Sequence, residues 1–430
     1  MLYSKLFTKT TKEVSSDETS KNAQLLIQAG YIHKTMAGVY AFLPLGLRVL
    51  NNIENIVREN LNQIGGQEIL MNGIQPKANW DKTGRWNTVD VLFKLSSQTN
   101  TEYALAPTHE EQISPLIKQY ISSYKDLPDF DEENGVMPLA VYQIQTKYRD
   151  ELRAKSGLLR GREFRMKDMY DFHKTKESQE AYFEYITQTY ITIYNQMGLK
   201  VYIVDASGGN FSDKLSREFQ VICDAGEDLI KYSETTNFAC NIEVFEDIKA
   251  SGKEIPVDIQ EAKSAEVGNI FDLGQKWVKA FDTSYTDKNN KKELPWMGCH
   301  GIGTSRCMAV IAEIYSDENG LKWPESVAPF KYQMITNVNH KDDQKINNQI
   351  VKIAQSIYQG ESEAEDLFEA NPETVLWDDR ESVGFGEKLK DADLIGCPLQ
   401  IIVSKRSLEQ GGVELKNRYT GDSNIIQIIE

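Results

Sequence analysis

Across 430 residues no continuous apolar stretch approaches the ~18–20 residues that cross a bilayer. The N-terminal segment also lacks the apolar core and small-residue cleavage site of a secretory signal. A cytoplasmic location, with no membrane contact, is expected. The five cysteines, Cys223, Cys240, Cys299, Cys307 and Cys397, are odd in number, widely spaced and form no C-x-x-C pair, which excludes a disulfide framework and a zinc ribbon. A reducing compartment fits. Internal repeats and low-complexity tracts are missing too. So is any excess of positive charge: 48 Lys and Arg face 64 Asp and Glu, a net charge of −16. Contacts to phosphates need cations, so any binding of nucleic acid has to come from a local basic face and not from the charge of the whole chain.

What is present is a globular composition, 40% hydrophobic and 26% charged, on a length that suits two domains. Apolar residues recur at helical spacing over residues 45–64 (Val49, Leu50, Ile53, Ile56, Val57, Leu61, Ile64), and Gly65-Gly66 ends the run. A strand is expected over 68–74. Residues 140–148 alternate, with Tyr142, Ile144, Thr146 and Tyr148 on one face and Gln143, Gln145 and Lys147 on the other, so one face is polar and turned to a ligand. A second alternating run, 162–170, follows a glycine-containing loop as its antiparallel partner. Helices are expected over 177–197 and 306–315. Beyond Pro329 the pattern becomes strand (332–338), helix (343–359), acidic loop, strand (375–377), helix (386–395, stopped by Gly396) and strand (399–403), the order of a small α/β domain. The boundary is placed near Phe330.

The residues that carry chemistry are KYRDE (147–151), RGREF (160–164) and, much later, GIGTSR (301–306). In this order they resemble motifs 2 and 3 of the class II aminoacyl-tRNA synthetases. The resemblance extends over nearly the whole chain to the prolyl-tRNA synthetases, through APTHEE (106–111), LLRGREFRMKDMYDFH (158–173), EFQV (218–221), AGED (225–228), EVGNIF (266–271), MGCHGIGTSR (297–306) and WPESVAPF (323–330). It implies an α+β catalytic domain with an antiparallel sheet flanked by helices over residues 1–330, and a C-terminal α/β anticodon-binding domain over 331–430. It implies a ligase that activates proline with ATP, releases diphosphate and charges tRNA(Pro). A faint likeness of 300–303 and 404–407 to class I signatures lacks the required order and the parallel nucleotide-binding sheet.

That reaction brings a carboxylate to the α-phosphorus of ATP, so fixed cations are its main requirement. No general base is needed, because a carboxylate is already a nucleophile. The resemblance gives Arg149 and Arg306 the catalytic roles: Arg149 holds α-phosphate and amino-acid carboxylate, as a planar guanidinium can, and Arg306 clamps the γ-phosphate together with Arg160. It assigns Phe164 to adenine stacking, Glu151 to the adenine amino group, Glu218 to Mg²⁺ with Gln220 assisting, and Gly301 and Gly303 to close approach of backbone and nucleotide. Thr108 and Glu110 would accept the two N–H bonds of proline's secondary ammonium. Cys299 would line the ring pocket. Thr108 and Glu110 also suit a helix start, as cap and first-turn acid.

Departures from the family pattern stand at three places. Asn72 replaces the motif 1 proline of the dimer interface, where a homodimer is nonetheless expected because the helix and strand persist. Arg217 and Asn269 replace histidines near the expected amino-acid or ribose site. Residues 242–266 occupy the place where many bacterial relatives insert an editing domain, and no such domain fits there. A ring pocket gains only ~1–3 kcal/mol per methylene, so alanine should be activated measurably. Residues 331–430 hold 11 basic and 18 acidic residues, so tRNA recognition is expected from Arg380, Lys388, Lys405, Lys416 and Arg418. Two other readings are a class II synthetase of different specificity and an inactive paralogue that binds tRNA. APTHEE with MGCHGIG opposes the first, and the presence of Arg149, Arg160, Phe164 and Arg306 opposes the second.

Overall fold

Pro44, whose missing N–H needs no partner in a first helical turn, opens helix α1 (Pro44–Gln63). Val49, Leu50, Ile53, Val57 and Leu61 form its buried stripe, and Gly65, at φ 76°, takes the left-handed position that ends it. The computed structural model describes residues 1–13, 18–209, 215–339, 343–362 and 364–428.

The largest element of the chain is a nine-stranded sheet. Its strands are β1 (Gln67–Glu68), β2 (Leu139–Tyr148), β3 (Glu163–His173), β4 (Tyr202–Ala206), β5 (Ser216–Ile222), β6 (Asp228–Tyr232), β7 (Ala239–Asn241), β8 (Gln260–Gly274) and β9 (Trp296–Ile302). They lie in the order β5-β4-β7-β6-β8-β9-β3-β2-β1, with β5 also pairing β8. The centre is antiparallel: β2 pairs β3, β3 pairs β9 and β9 pairs β8. Because side chains alternate along a strand, the register puts Phe164, Asp168 and Tyr170 of β3 on the same face as Lys147 and Gln143 of β2 and Cys299 of β9. The opposite face carries Lys167, Asp171 and His300 and is covered by α3 (Lys176–Gln196), whose Tyr182, Tyr190 and Tyr194 are buried. Gly298 is required there: a Cβ would come within 2.6 Å of the Asp171 carboxylate, which holds His173 at 2.8 Å and also His300. Two further helices position the site, α2 (Glu110–Ile117) and α4 (Thr304–Ile314).

The chain forms two compact units, one of residues 35–40 and 53–310, the other of 1–34, 41–52 and 311–430. These units cut the chain differently from a single boundary near Phe330. In the second, β10 (Tyr332–Thr336), β11 (Val375–Asp378), β12 (Leu399–Val403), β13 (Gly412–Asn417) and β14 (Ser423–Gln427) form a sheet in the order β11-β10-β12-β13-β14, parallel at β10 and antiparallel beyond β12. Met334 packs with α5 (Gln344–Gln359), while its neighbour Ile335 packs with α6 (Phe385–Ile395), so the two helices take opposite faces.

The expected strand over 68–74 is instead two short strands in different sheets, β1 and a piece at Ile74–Pro76 that pairs Glu102–Leu105. Between them the backbone bonds side chains: Gln143 accepts from the Met71 N–H at 2.9 Å, and Gln145 donates to the Met71 carbonyl.

Candidate functional site

Where β2 and β3 run out at their shared end, the Arg149 N–H donates to the Arg162 carbonyl at 2.9 Å. This places Arg149 and Glu151 beside the loop that carries Arg160. Two cavities meet at this point, and Arg149, Glu151, Met166 and Asn269 line both.

The first cavity is bounded by Arg149, Glu151, Leu159, Arg160, Phe164, Gly268, Gly303 and Arg306. Phe164 lies beneath the Arg149 guanidinium, 5.1 Å from ring centroid to Cζ. Arg306 is held by the carbonyls of Leu159 (2.8 Å) and Glu266 (2.7 Å). Arg160 donates to Glu151 at 2.9 Å and Glu227 at 3.1 Å. A recess of about 230 Å³ continues from it past Arg160, Arg306, Glu227, Asp228 and Glu266. Gly303 lines this cavity, whereas Gly301 lines neither: a Cβ there would meet Met166 at 2.4 Å and Asn269 at 3.0 Å.

Glu218 and Gln220 sit beside that recess and not in its wall. The Gln220 amide donates to Glu218 and Asp228, at 2.9 Å each. Burial, with Glu266 and Asp228 nearby, pushes the Glu218 carboxyl up to about 8. Crowded carboxylates are oxygen donors of the kind a hard divalent cation takes. No group of three or more His, Cys, Asp or Glu among the described residues is arranged to hold a metal alone. Mg²⁺ commonly uses one or two carboxylates and completes its shell with water and phosphate oxygens, so the residues fit a cation that arrives with a phosphate ligand.

The second cavity, about 340 Å³, is bounded by Arg85, Thr88, Val89, Asp90, Val91, Pro107, Thr108, Glu110, Arg149, Phe271 and Cys299. Glu110 opens α2 and is buried. Its carboxylate accepts from the Thr108 hydroxyl and from the Cys299 thiol, the latter at 3.0 Å. Glu110 and Arg149 have no ion-pair partner among the described residues. The one hydrogen bond of the Arg149 guanidinium there is a 3.5 Å contact to the Pro107 carbonyl. Burial and the neighbouring Arg306 pull its pKa down. Arg149 is part-buried and the carboxylates of Glu266, Glu151 and Glu110 act on it without forming a contact ion pair, so one cavity presents a carboxylate and a guanidinium that are not paired with each other.

The polar face of β2 is largely engaged already: Gln143 and Lys147 are buried and bonded to Asp168, and Arg149 is the residue of that face that reaches both cavities. Of the two departures, Asn269 lines both cavities and donates to Glu266 at 2.7 Å. Arg217 is turned to the helix-covered face, paired with Glu184 at 2.6 Å and 2.7 Å, and lines neither. Arg85, which sequence reasoning missed, lines the second cavity and pairs the buried Glu111 at 2.8 Å; its partner lies too far along the chain for local pattern to reveal.

In the C-terminal unit, three of the five expected tRNA-binding cations are buried or held in short ion pairs. Lys388 is buried and donates to the Thr336 carbonyl at 3.0 Å. Arg418 is buried in a bidentate pair with Asp317, 2.8 Å for both bonds. Arg380 pairs Asp378 and Asp391 and lies over the Tyr3 ring at 4.1 Å. Lys405 and Lys416 remain half-buried at the surface, Lys416 being 3.6 Å from Asp393.

A family model described as the class II core domain of tRNA synthetases (G, H, P, S and T) matches residues 93–315, and one described as an anticodon binding domain matches 334–430. The chain is 36% identical over 441 residues to a proline–tRNA ligase of Ehrlichia chaffeensis, covering 99% of this chain and 97% of that one. It is 31% identical to a proline–tRNA ligase of Geobacillus kaustophilus over an alignment of 581 positions, covering 100% and 98%. The first alignment is close to this chain's own length, and the second holds a long stretch with no counterpart here. Among solved structures, Giardia lamblia prolyl-tRNA synthetase in complex with prolyl-adenylate superposes with a TM-score of 0.76 at 22% identity, covering 95% of this chain and 74% of that one. The Cryptosporidium parvum enzyme complexed with L-proline and AMP gives 0.73 at 18%, covering 94% and 72%. Among the described residues no helix is long and apolar enough to cross a membrane.

Proposed function

Because the chain belongs to the class II prolyl-tRNA synthetases and acts as a proline–tRNA ligase, we propose that its two cavities divide the work of activation between them. The second cavity takes proline and the first takes ATP, with Arg149 serving both. The observation that carries this is the carboxylate and guanidinium of the second cavity, not paired with each other: a free amino acid is a zwitterion, and Glu110 and Arg149 are its complement. Thr108 and Glu110 receive the two N–H bonds of the secondary ammonium, Arg149 holds the carboxylate, and Phe271 and Cys299 border the ring.

In the first cavity adenine stacks on Phe164 and donates to Glu151, while Arg160 and Arg306 take the γ-phosphate beside Gly303. One carboxylate oxygen of proline forms a bond to the α-phosphorus as the bond to diphosphate breaks. Arg149 stabilises the charge gathering on the α-phosphate oxygens. Glu218, with Gln220 orienting it, would hold Mg²⁺, which when bound neutralises charge on the β- and γ-phosphates.

The functional division into residues 1–330 for activation and 331–430 for the anticodon follows the same reading, with Lys405 and Lys416 as the tRNA contacts kept from the sequence. A homodimer is supported by the edge strand β1 and the residues after it, where Leu70 and Ile74 are 76% and 58% exposed. A second copy would cover them; a stable, fully active monomer at micromolar concentration would sink that part of the reading. A cytoplasmic location accords with five cysteines that are all buried and outside any disulfide.

The test is amino-acid-dependent exchange of pyrophosphate into ATP with proline, alanine, cysteine, threonine and glycine. Proline should lead and alanine should follow measurably. No exchange with proline would overturn the assignment of the cavities.

A further inference from the structure

His109 stands between the two residues assigned to proline's ammonium, yet it lines neither cavity. It is buried, and every polar atom it has is engaged. Its Nδ1 lies 2.8 Å from Lys147 Nζ, and Lys147 is ion-paired to Asp168 at 2.6 Å. An ammonium only donates, so Nδ1 is the acceptor and the ring proton sits on Nε2. Nε2 in turn donates to the Asn72 carbonyl at 3.1 Å. The backbone N–H of His109 donates to the Tyr170 hydroxyl at 3.2 Å, and that hydroxyl donates to Asp168 at 2.9 Å. Gln143 donates to the same Asp168 oxygen at 2.9 Å and accepts from the Met71 N–H.

The segment on either side is tied in the same way. Gln75 donates to the Thr108 carbonyl at 2.8 Å, and the Ala106 N–H donates to the Gly73 carbonyl at 2.9 Å. Asp168 is thus a hub to which ring and backbone of His109 are both fastened. Thr108 and Glu110 hang from the residue between them.

We propose that Asp168, Lys147, Tyr170 and His109 are positioning residues for amino-acid selection, holding the Thr108 hydroxyl and the Glu110 carboxylate at the spacing that a secondary ammonium requires. The proposal rests on the assignment of Thr108 and Glu110 made above. A hydrogen-bonded frame of this kind limits how far either acceptor can move toward a ligand of another shape, and displacement of a binding group by ~1 Å can cost about 10²-fold. Burial and the adjoining Lys147 ammonium push the imidazole down to about 4, so the neutral tautomer that makes both ring bonds persists through neutral pH. Asn72 enters only through its carbonyl, which a proline at that position would supply equally.

Three variants test it: Tyr170→Phe, which deletes one hydroxyl without changing the ring; His109→Ala; and His109→Asn, which restores an acceptor near the Nδ1 position. Pyrophosphate exchange is measured with proline and with alanine, varying each amino acid and then ATP. Tyr170→Phe and His109→Ala should raise the KM for proline about 10- to 100-fold and narrow the preference for proline over alanine, with the KM for ATP within about threefold of the parent. His109→Asn should recover part of the loss. Unchanged proline KM and preference in Tyr170→Phe and His109→Asn, with only melting temperature or active fraction reduced, would make the cluster core packing and overturn the proposal. Glu110→Gln is the control for its premise. If Glu110→Gln raises the proline KM and the cluster variants do not, this proposal alone fails; if Glu110→Gln leaves that KM unchanged, both fail.

Discussion

Replacing Phe164 with leucine removes an aromatic face while keeping most of the apolar volume. The ring borders the cavity assigned to ATP and lies 5.1 Å from the Arg149 guanidinium. Stacking of a base on an aromatic side chain is worth about 1–3 kcal/mol, and a partly exposed cation–π contact about 0.5–1 kcal/mol. At about 1.4 kcal/mol per factor of ten, loss of stacking raises the KM for ATP about 5- to 150-fold. Loss of the cation–π contact acts through Arg149, which lines both cavities, and should change the KM for proline only about 2- to 5-fold. Pyrophosphate exchange with each substrate varied in turn separates the two effects, and a melting curve checks the fold. Phe164→Tyr keeps the face and should stay within about threefold of the parent for both. Equal shifts in the two KM values, or a change confined to melting temperature, would refute the stacking argument and leave Phe164 a packing residue.

Arg149→Ala should lower proline-dependent exchange by at least about 10²–10³-fold with an unchanged far-ultraviolet circular dichroism spectrum; retained exchange would remove Arg149 from the reaction. Lys416→Ala should leave exchange as it is, weaken tRNA binding and reduce the slope of log affinity against log salt by about 1, and an unaltered slope would take Lys416 off the tRNA surface. Lys167 is buried, bonded to Tyr190 and to the His300 carbonyl, and burial pulls it from 10.5 down to about 7. The unfolded chain therefore binds one more proton than the folded chain between pH 7 and 10.5, and stability gained as pH rises should reach about 1.4 kcal/mol per pH unit in that window; Lys167→Met should flatten this rise in chemical denaturation, and an identical slope would show that Lys167 titrates normally. Alanine mischarged on tRNA(Pro) should persist in the presence of the pure protein, because residues 242–259 hold only a short helix at Phe245–Ala250 and its flanking turns; rapid deacylation would contradict this.

Elements with one dominant period were legible in the sequence. The stripe of α1 reflects a single buried face, the alternation of β2 and β3 sorts side chains onto two faces that are both buried at the centre of the sheet, and the motif residues Arg149, Glu151, Arg160, Phe164, Gly303 and Arg306 come together around one cavity. Residues 69–73 read as a strand because their composition suits one, but Met71 bonds the side chains of Gln143 and Gln145, and no local pattern encodes partners some 70 residues away. The same reason hid the fate of the cations. Lys388 and Arg418 look like surface charge until Asp378 and Asp317 are brought beside them, after which Arg418 is a buried ion pair and Lys388 caps backbone carbonyls. Strands β4 to β7 went unread because they are short, the longest running only from Ser216 to Ile222, and display too little of a period.

Arg160 is ion-paired at once with Glu151 and Glu227. In the assignment proposed above, Glu151 is the carboxylate for the adenine end of the nucleotide and Arg160 the cation for the far phosphate. Both bonds from Arg160 to Glu151 fall on one oxygen, Oε2, so the second oxygen of that carboxylate can accept from a base while Arg160 stays where it is. A phosphate that takes Arg160, by contrast, competes with two carboxylates at once. On that assignment the cost of rearranging this corner falls on the phosphate end of the nucleotide and not on its base.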